Sequence, residues 1–319
     1  MSFKALALSD LHLTDANVAC RGDDVFETQL NMLKNIYEIA DEEGCDYILQ
    51  AGDVLDKPRV SNRVLTGFVD LIKSHKQHWV VVPGQHDLKN HNYNNWQVDS
   101  DLAIIATLTD KFTVLHAGES KVLSEEFKVR VTGFGFEEPA TEEFLYSQPG
   151  FMPTASEYRE IAIVHASVCD DGSPYWQDIA ELSWLKDFTY AQFGDIHKGF
   201  SPCFVGETKC FNGGVLTPMK SNESQCPYVT ILQFDKKGSK DKIVRILDDW
   251  TFLQDDNKVK DLSLVEKASD NFLEVINTAK SRVSEDPLVL LADIASSNSL
   301  DAKIVTTASK YVKEAMING

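Results

Sequence analysis

The chain opens on an apolar run, residues 3 to 8, that breaks at once into polar positions at Asp10 and His12. The stretch "DDVFETQLNMLKNIYEIADEEG" then places Phe26, Leu30, Leu33, Tyr37 and Ala40 at helical spacing, with Asp23 and Asp24 as candidate caps and Gly44 as the stop. "DYILQAGD" reads as a second strand ending at Gly52 and Asp53, and roughly 61 to 75 reads as a second helix. A third apolar run, "HWVVVPGQHD", delivers Gln85, His86 and Asp87 together at its C-terminal end. The pattern predicts β-α-β-α-β with polar groups at the C-terminal edge of each strand, where open α/β sheets bind ligands.

Past Asp99 the spacing changes, and "FTVLHA", "KVRVTGFGF", "EIAIVHAS", "YAQFGDIH", "PYVTILQF" and "KIVRILD" read as strands with less helix between them. A second sheet packed face to face on the first follows from this, with helices outside. The expected fold class is therefore α/β: a two-sheet β-sandwich flanked by helices over residues 1–240, joined near 236–250 to a small C-terminal α/β domain over 250–319. In that last part Ile304, Ala308, Tyr311, Val312 and Ala315 form one apolar stripe, which reads as core.

A length of 319 residues accommodates one large domain, or a large and a small one. No run of about 18 apolar residues and no basic-then-apolar leader is visible, so the expectation is a soluble, cytoplasmic chain with no membrane segment. Six widely spaced cysteines (Cys20, Cys45, Cys169, Cys203, Cys210, Cys226) form no CxxC pair, which argues against a zinc knuckle and a disulfide framework. The formal net charge of −18 argues against a broad basic surface for nucleic acid. A polyanionic substrate would need a local counter-charge, and bound divalent cations are often the largest charges in a site.

Five strand ends deliver chemistry: Asp10 and His12; Asp53 and Asp56; Gln85, His86 and Asp87; His165; Asp195 and His197. Brought to one sheet edge, such carboxylates and imidazoles either repel one another or hold metal. The mixed His, Asp and amide set suits a pair of divalent ions such as manganese. Next to them, "KNHNYNNWQ" could offer Tyr93 and Trp96 for stacking on nucleotide bases, with Lys89 and His91 near phosphates, although a solvated loop with its aromatics against the core accounts for it equally well. Lys57, Arg59 and Arg63 follow the second block and could guide a phosphate backbone, although a solvated helix start accounts for them equally well.

The segments "SDLH", "GDVLD", "GQHD", "VHAS" and "GDIH" resemble, in order and spacing, the DxH, GDxxD, GNHD, H and GHxH blocks of calcineurin-like metallophosphoesterases, over roughly residues 3–235. Within that superfamily "AGDVLDKPRVSN", "VVVPGQHD" and "GDIHKGF" followed by "FNGGVLTPMKSNE" look most like the DNA-repair nucleases that partner coiled-coil ATPases, including phage recombination nucleases. The C-terminal part resembles that branch's capping domain in length and pattern. The resemblance implies a two-metal hydrolase, Mn2+ with Mg2+ as the alternative, acting on DNA as a dimer with an ATPase partner.

By the same resemblance Asp10, His12 and His197 would hold one metal, and Asp53 would bridge to a second completed by Gln85, His165 and Asp195. His86 would face the leaving oxygen, oriented by Asp56, and Asp87 would fix the loop. Two positions depart from the pattern. Gln85 stands where asparagine is usual, and Asp195 where the first histidine of GHxH is usual, so the second metal site is expected to be altered and weakly held in the absence of substrate. Two competing readings accompany the nuclease: a small-molecule phosphatase or phosphodiesterase on the same fold, and a catalytically weak binding or scaffold subunit.

Overall fold

The computed structural model of the chain describes residues 2–18, 21–91, 96–115, 118–136, 157–169, 177–220, 223 and 227–246. All belong to the first of two units into which the chain divides, Met1–Phe252 and Leu253–Gly319. The C-terminal α/β domain expected over 250–319 lies outside the described residues.

The first half alternates strand and helix as its periodicity requires. β1 (Phe3–Leu8), α1 (Val25–Glu43), β2 (Tyr47–Gln50), α2 (Asn62–Ser74) and β3 (His78–Val81) are followed by the short α3 (Trp96–Asp99), α4 (Asp101–Leu108) and β4 (Phe112–Val114). Asp24 caps α1 by accepting the Glu27 N–H, and Ser61 caps α2 by accepting that of Val64, each satisfying a donor that a helix start leaves open. The second half is mostly strand: β5 (Ser120–Ser124), β6 (Val129–Phe134), β7 (Arg159–His165), β8 (Val168–Cys169), β9 (Gln177–Asp178), β10 (Tyr190–Gly194), β11 (Phe200–Val205), β12 (Thr208–Asn212), β13 (Tyr228–Asp235) and β14 (Gly238–Arg245).

Two six-stranded sheets result among the described residues, in the orders β14-β13-β1-β2-β3-β4 and β11-β12-β10-β7-β6-β5, with β8 and β9 a separate small ribbon. Each large sheet has a parallel row, β1 to β4 in one and β12-β10-β7-β6 in the other; antiparallel strands flank the first row on the β1 side only and the second on both sides. The α/β two-sheet sandwich is the fold of the chain.

The distribution of strands between the sheets departs from the sequence reading. β4, β13 and β14 sit in the first sheet rather than the second. β4 extends the parallel row beyond β3, and the β13–β14 hairpin closes the open edge of β1 in antiparallel register, Ala5 opposite Leu232. Period-two patterning marks a strand but does not choose its sheet. Among the described residues α-helices cover one outer face, and the second sheet is backed by 3-10 turns, Ile179–Glu181 and Ser183–Asp187, which bring Trp184 and Leu185 onto Val164, Ala191 and Phe193.

The alternation of side chains sorts three packed layers. Ala5, Ala7, Leu49, Val80, Val82 and Phe234 of the first sheet face Ile161, Ile163 and Phe211 of the second across the sandwich. The opposite side of the first sheet, Leu6, Leu8, Ile48 and Val81, packs on Met32, Leu33, Ile36, Phe68 and Ile72 of α1 and α2. Parallel strands buried on both faces need such continuous apolar runs. No helix among the described residues is long and apolar enough to cross a membrane. Cys45, Cys169, Cys203 and Cys210 carry free thiols, all buried except Cys203.

Between helix and sheet the Trp79 indole N–H donates to the Tyr37 hydroxyl at 2.7 Å, both residues being fully buried. Tyr37→Phe leaves that N–H without a partner at a cost of about 1–3 kcal/mol. Urea denaturation is expected to show a lower midpoint with unchanged slope, and an unchanged midpoint would refute the role given to this bond.

Candidate metal centre

The strand ends converge because their loops are sewn together by backbone bonds. After β1, the N–H groups of Leu11 and His12 both donate to the Asp53 carbonyl, at 2.9 and 3.0 Å, and Leu13 N–H donates to Val54 at 2.9 Å. Fully buried Leu11 and Leu13 pin this loop to the core while Asp10 and His12 turn the other way. Asp87 ties in the loop after β3: its carboxylate accepts the N–H groups of Gly84 (2.8 Å), Leu55 (2.8 Å) and Val54 (3.2 Å). His86 N–H donates to Asp53 Oδ1 at 2.8 Å, and Asp195 N–H donates to Asp10 Oδ1 at 2.9 Å, so the second sheet's loop joins the same knot.

The geometry is bought with backbone strain. Asp10, His12, Asp53 and Asp195 all adopt positive φ, at 49°, 47°, 53° and 87°. Such conformations cost of order 1–3 kcal/mol each for residues with side chains and persist only where the surroundings over-determine them. Close approach accounts for two glycines. A Cβ on Gly52 would lie 2.1 Å from His165 Nδ1, and one on Gly84 would lie 2.2 Å from the Asp53 nitrogen and Oδ1.

Asp10, His12, Asp53 and His197 present ligand atoms that all lie within 4.8 Å of one another. His12 Nε2 and His197 Nε2 stand 2.9 Å apart, and the Asp53 Oδ2 is 3.6 Å from His12 Nε2. On the other side of Asp53, His165 Nε2 is 3.4 Å from Asp53 Oδ2 and 3.9 Å from Asp195 Oδ1. The fit to divalent cations rests on orphaned atoms: Asp10 Oδ2, Asp53 Oδ2 and His165 Nε2 are buried with no hydrogen-bond partner among the described residues. Unpaired buried oxygens and imidazole nitrogens converging on a point are costly unless a cation completes them.

Electrostatics at the site reflect the same crowding. Burial pushes the Asp10 carboxyl up to about 6, against the pull of His165 and His197. Burial drives His12 down to about 3, so its ring is neutral and able to ligate. For Asp53 burial works upward, but the charge of His165 and its proximity hold the carboxyl below the usual range. His165 is the counterpart: burial lowers it, Asp53 outweighs burial, and it is raised to about 10. Asp53 and His165 thus each favour the charged form of the other.

Gln85 lies half-buried in the turn after β3, where its carbonyl accepts the Leu88 N–H at 3.2 Å. His86 sits at the mouth, its side chain 39% exposed and its ring edge-on to His12 at 4.6 Å. Its partner differs from the sequence reading. His86 Nδ1 meets the backbone carbonyl of Asp56 at 2.9 Å, whereas the Asp56 carboxylate is 4.0 Å away. Asp56 therefore orients the ring through its main chain. His12, Asp56 and His86 also form a second group with ligand atoms within 4.8 Å.

Arg59 is already engaged within the fold. Its guanidinium pairs with the buried Asp101 carboxylate at 2.6 Å and donates to the Val98 carbonyl at 2.8 Å. It neutralises a carboxylate that also takes the Val60 N–H at the start of α4. Arg63 is similarly engaged by Asp24 and Glu27 at 2.8 and 3.1 Å. Tyr93 lies outside the described residues, and of Trp96 only the backbone, at the start of α3, is described.

Two contributors escaped the sequence reading. Glu223 accepts from His197 Nδ1 at 2.8 Å, and the Ser167 hydroxyl donates to Asp195 Oδ2. Both lie in stretches singled out for other reasons, "FNGGVLTPMKSNE" and "VHAS", but no spacing marks either side chain.

A sequence profile of the calcineurin-like phosphoesterase family matches residues 3–199. Among solved structures, TT1561 of Thermus thermophilus aligns over 77% of this chain and 100% of its own, with 14% identity and a TM-score of 0.48. A dimetal phosphatase from Danio rerio aligns over 76% and 99%, with 13% identity and a TM-score of 0.47. The calcineurin-like phosphoesterase YfkN from Bacillus subtilis aligns over 77% and 91%, with 14% identity and a TM-score of 0.42. No curated protein matches the sequence.

Gly84→Ala tests whether close packing of the loops makes the site. The added methyl must displace Asp53, so the variant is expected to keep its circular dichroism spectrum and lose Mn2+ binding by at least about 10-fold. Wild-type affinity in a folded Gly84→Ala protein would show that the loops can part without harm.

Proposed function

This chain belongs to the calcineurin-like phosphoesterase family, hydrolases of phosphoester bonds, and from that premise we propose that it is a metal-dependent DNA nuclease of recombination and repair. The observation that carries the hydrolytic reading is the convergence of Asp10, His12, Asp53 and His197 on one point, with His165 and Asp195 beyond Asp53. Asp10, His12 and His197 would hold one divalent ion, and Asp53, His165, Asp195 and Gln85 the other, Mn2+ in preference to Mg2+. Two such ions supply a polarised phosphoryl group and an activated water.

The chain's own groups do the rest. His86 is aimed by the Asp56 carbonyl, which accepts a hydrogen bond from Nδ1–H and leaves Nε2 at the open mouth. A proton held on Nε2 would pass to the leaving oxygen of a bound ester. Asp87 keeps His86 in place through the turn it caps, and the turn's N–H on Asp53 Oδ1 leaves Oδ2 for the cations.

The nuclease assignment is supported by the ordered segments "AGDVLDKPRVSN", "VVVPGQHD" and "GDIHKGF". With a net charge of −18 the chain would take much of its grip on DNA from a coiled-coil ATPase subunit, acting as a homodimer with it in the cytoplasm or a phage-infected host. The same charge favours a second reading, a phosphatase or phosphodiesterase of small molecules, which needs no long polyanion to approach.

End-labelled single- and double-stranded DNA incubated with the purified chain in Mn2+ is expected to be cleaved, with His86→Ala slower by about 100-fold or more. Hydrolysis of a simple phosphodiester with the same ion and no action on DNA would instead establish the small-molecule reading. In the apoprotein, Mn2+ titration is expected to show one tighter and one weaker ion, because Gln85 and Asp195 alter the second set. Two equally tight ions would sink that asymmetry.

A further inference from the structure

The loop that follows β12 wraps the metal-facing segment containing His197. Val215 N–H donates to the His197 carbonyl at 3.0 Å, and Leu216 N–H donates to that of Asp10 at 3.3 Å. Gly214 lies so close that a Cβ would stand 2.5 Å from the His197 carbonyl oxygen. The same stretch returns at Glu223, whose side chain is only 7% exposed.

Both oxygens of that carboxylate are committed. Oε1 accepts from His197 Nδ1 at 2.8 Å, and Oε2 accepts the backbone N–H groups of Met219 and Lys220 at 2.6 and 3.0 Å. Lys220 Nζ stands 4.0 Å from Oε1. The two amides hold the carboxylate before any ion arrives, so its second oxygen is a fixed acceptor rather than a mobile surface charge. A histidine can offer a lone pair from only one nitrogen at a time, and a carboxylate on Nδ1–H leaves that lone pair on Nε2. His197 Nε2 is the atom that stands 2.9 Å from His12 Nε2 within the ligand cluster.

We propose that Glu223 is a positioning residue of the first metal set: it fixes the tautomer and ring plane of His197 and thereby sets the affinity for the ion held by Asp10, His12 and His197. This rests on the metal-centre reading above and deepens it. It also assigns the unequal affinities a second source, since the partner histidine His165 has a different anchor, its Nδ1 meeting the neutral carbonyl of Ala51 at 2.8 Å. A carboxylate raises the basicity of the ring it holds more than a carbonyl does.

The test compares wild type with Glu223→Gln, Glu223→Asp and His197→Asn, reading free Mn2+ by electron paramagnetic resonance. Glu223→Gln is expected to weaken the tighter ion by about 10–100-fold and leave the weaker one unchanged, with Glu223→Asp recovering part of the loss. His197→Asn should abolish the tighter ion outright. On wild type loaded with diamagnetic Zn2+, nitrogen-15 spectra of the imidazoles should show His197 protonated at Nδ1 and bound through Nε2, which needs no variant to fold. Equal affinities in wild type and folded Glu223→Gln, or a zinc-loaded His197 protonated at Nε2, would overturn the role of Glu223 alone. Failure of His197→Asn to change binding, or no Mn2+ binding by wild type, would overturn the metal-centre reading and this inference with it.

Discussion

Asp53 is the residue on which the site turns. Its carbonyl receives the loop after β1 through two N–H groups, its Oδ1 receives the loop after β3 through His86, and its Oδ2 faces His12 and His165. A fully buried carboxylate in a strained backbone conformation is an expensive object. What offsets that cost is positive charge, from His165 beside it and from the divalent ions the proposed site would hold. The sandwich is the means of bringing that charge, since Asp53 comes from the first sheet and His165 from the second.

Much of this was legible because the relevant information is local. Apolar runs that end in Asp, His or amide groups mark strand ends, and the ends of parallel neighbours share one edge, so Asp10, His12, Asp53 and His86 could be gathered without coordinates. Helix caps at Asp24 and Ser61 are equally local. What stayed hidden depends on the third dimension. Sheet membership of β4, β13 and β14 is decided by which edges remain open, not by the strands' own patterns. The Asp56 carbonyl, rather than its carboxylate, holds His86 because the backbone of that loop passes closer, and main-chain acceptors leave no trace in side-chain identity. Arg59 looked available until the burial of Asp101 demanded a partner.

The anchors of the histidines show how one scaffold can make two unlike metal sets. His197 leans on a carboxylate and His165 on a peptide carbonyl. Asp195 stands where the resemblance leads one to expect a further imidazole, and its Oδ2 is taken by Ser167, so only Oδ1 points toward His165. The second proposed set would therefore exchange a neutral nitrogen for a half-committed oxygen, which would suit harder ions better than softer ones.

That exchange bears on how a chain with a net charge of −18 can act on a phosphoester at all. Each added carboxylate cancels positive charge that two ions would otherwise present to the substrate, and the general field repels any anion. The attraction must then be short in range and confined to within about a Debye length of the mouth, where His86 is exposed. A small ester can reach that point by itself. A long polyanion such as DNA meets repulsion along its whole length before its scissile bond arrives, and this is the physical reason that the nuclease reading requires a second, positively charged surface from a partner.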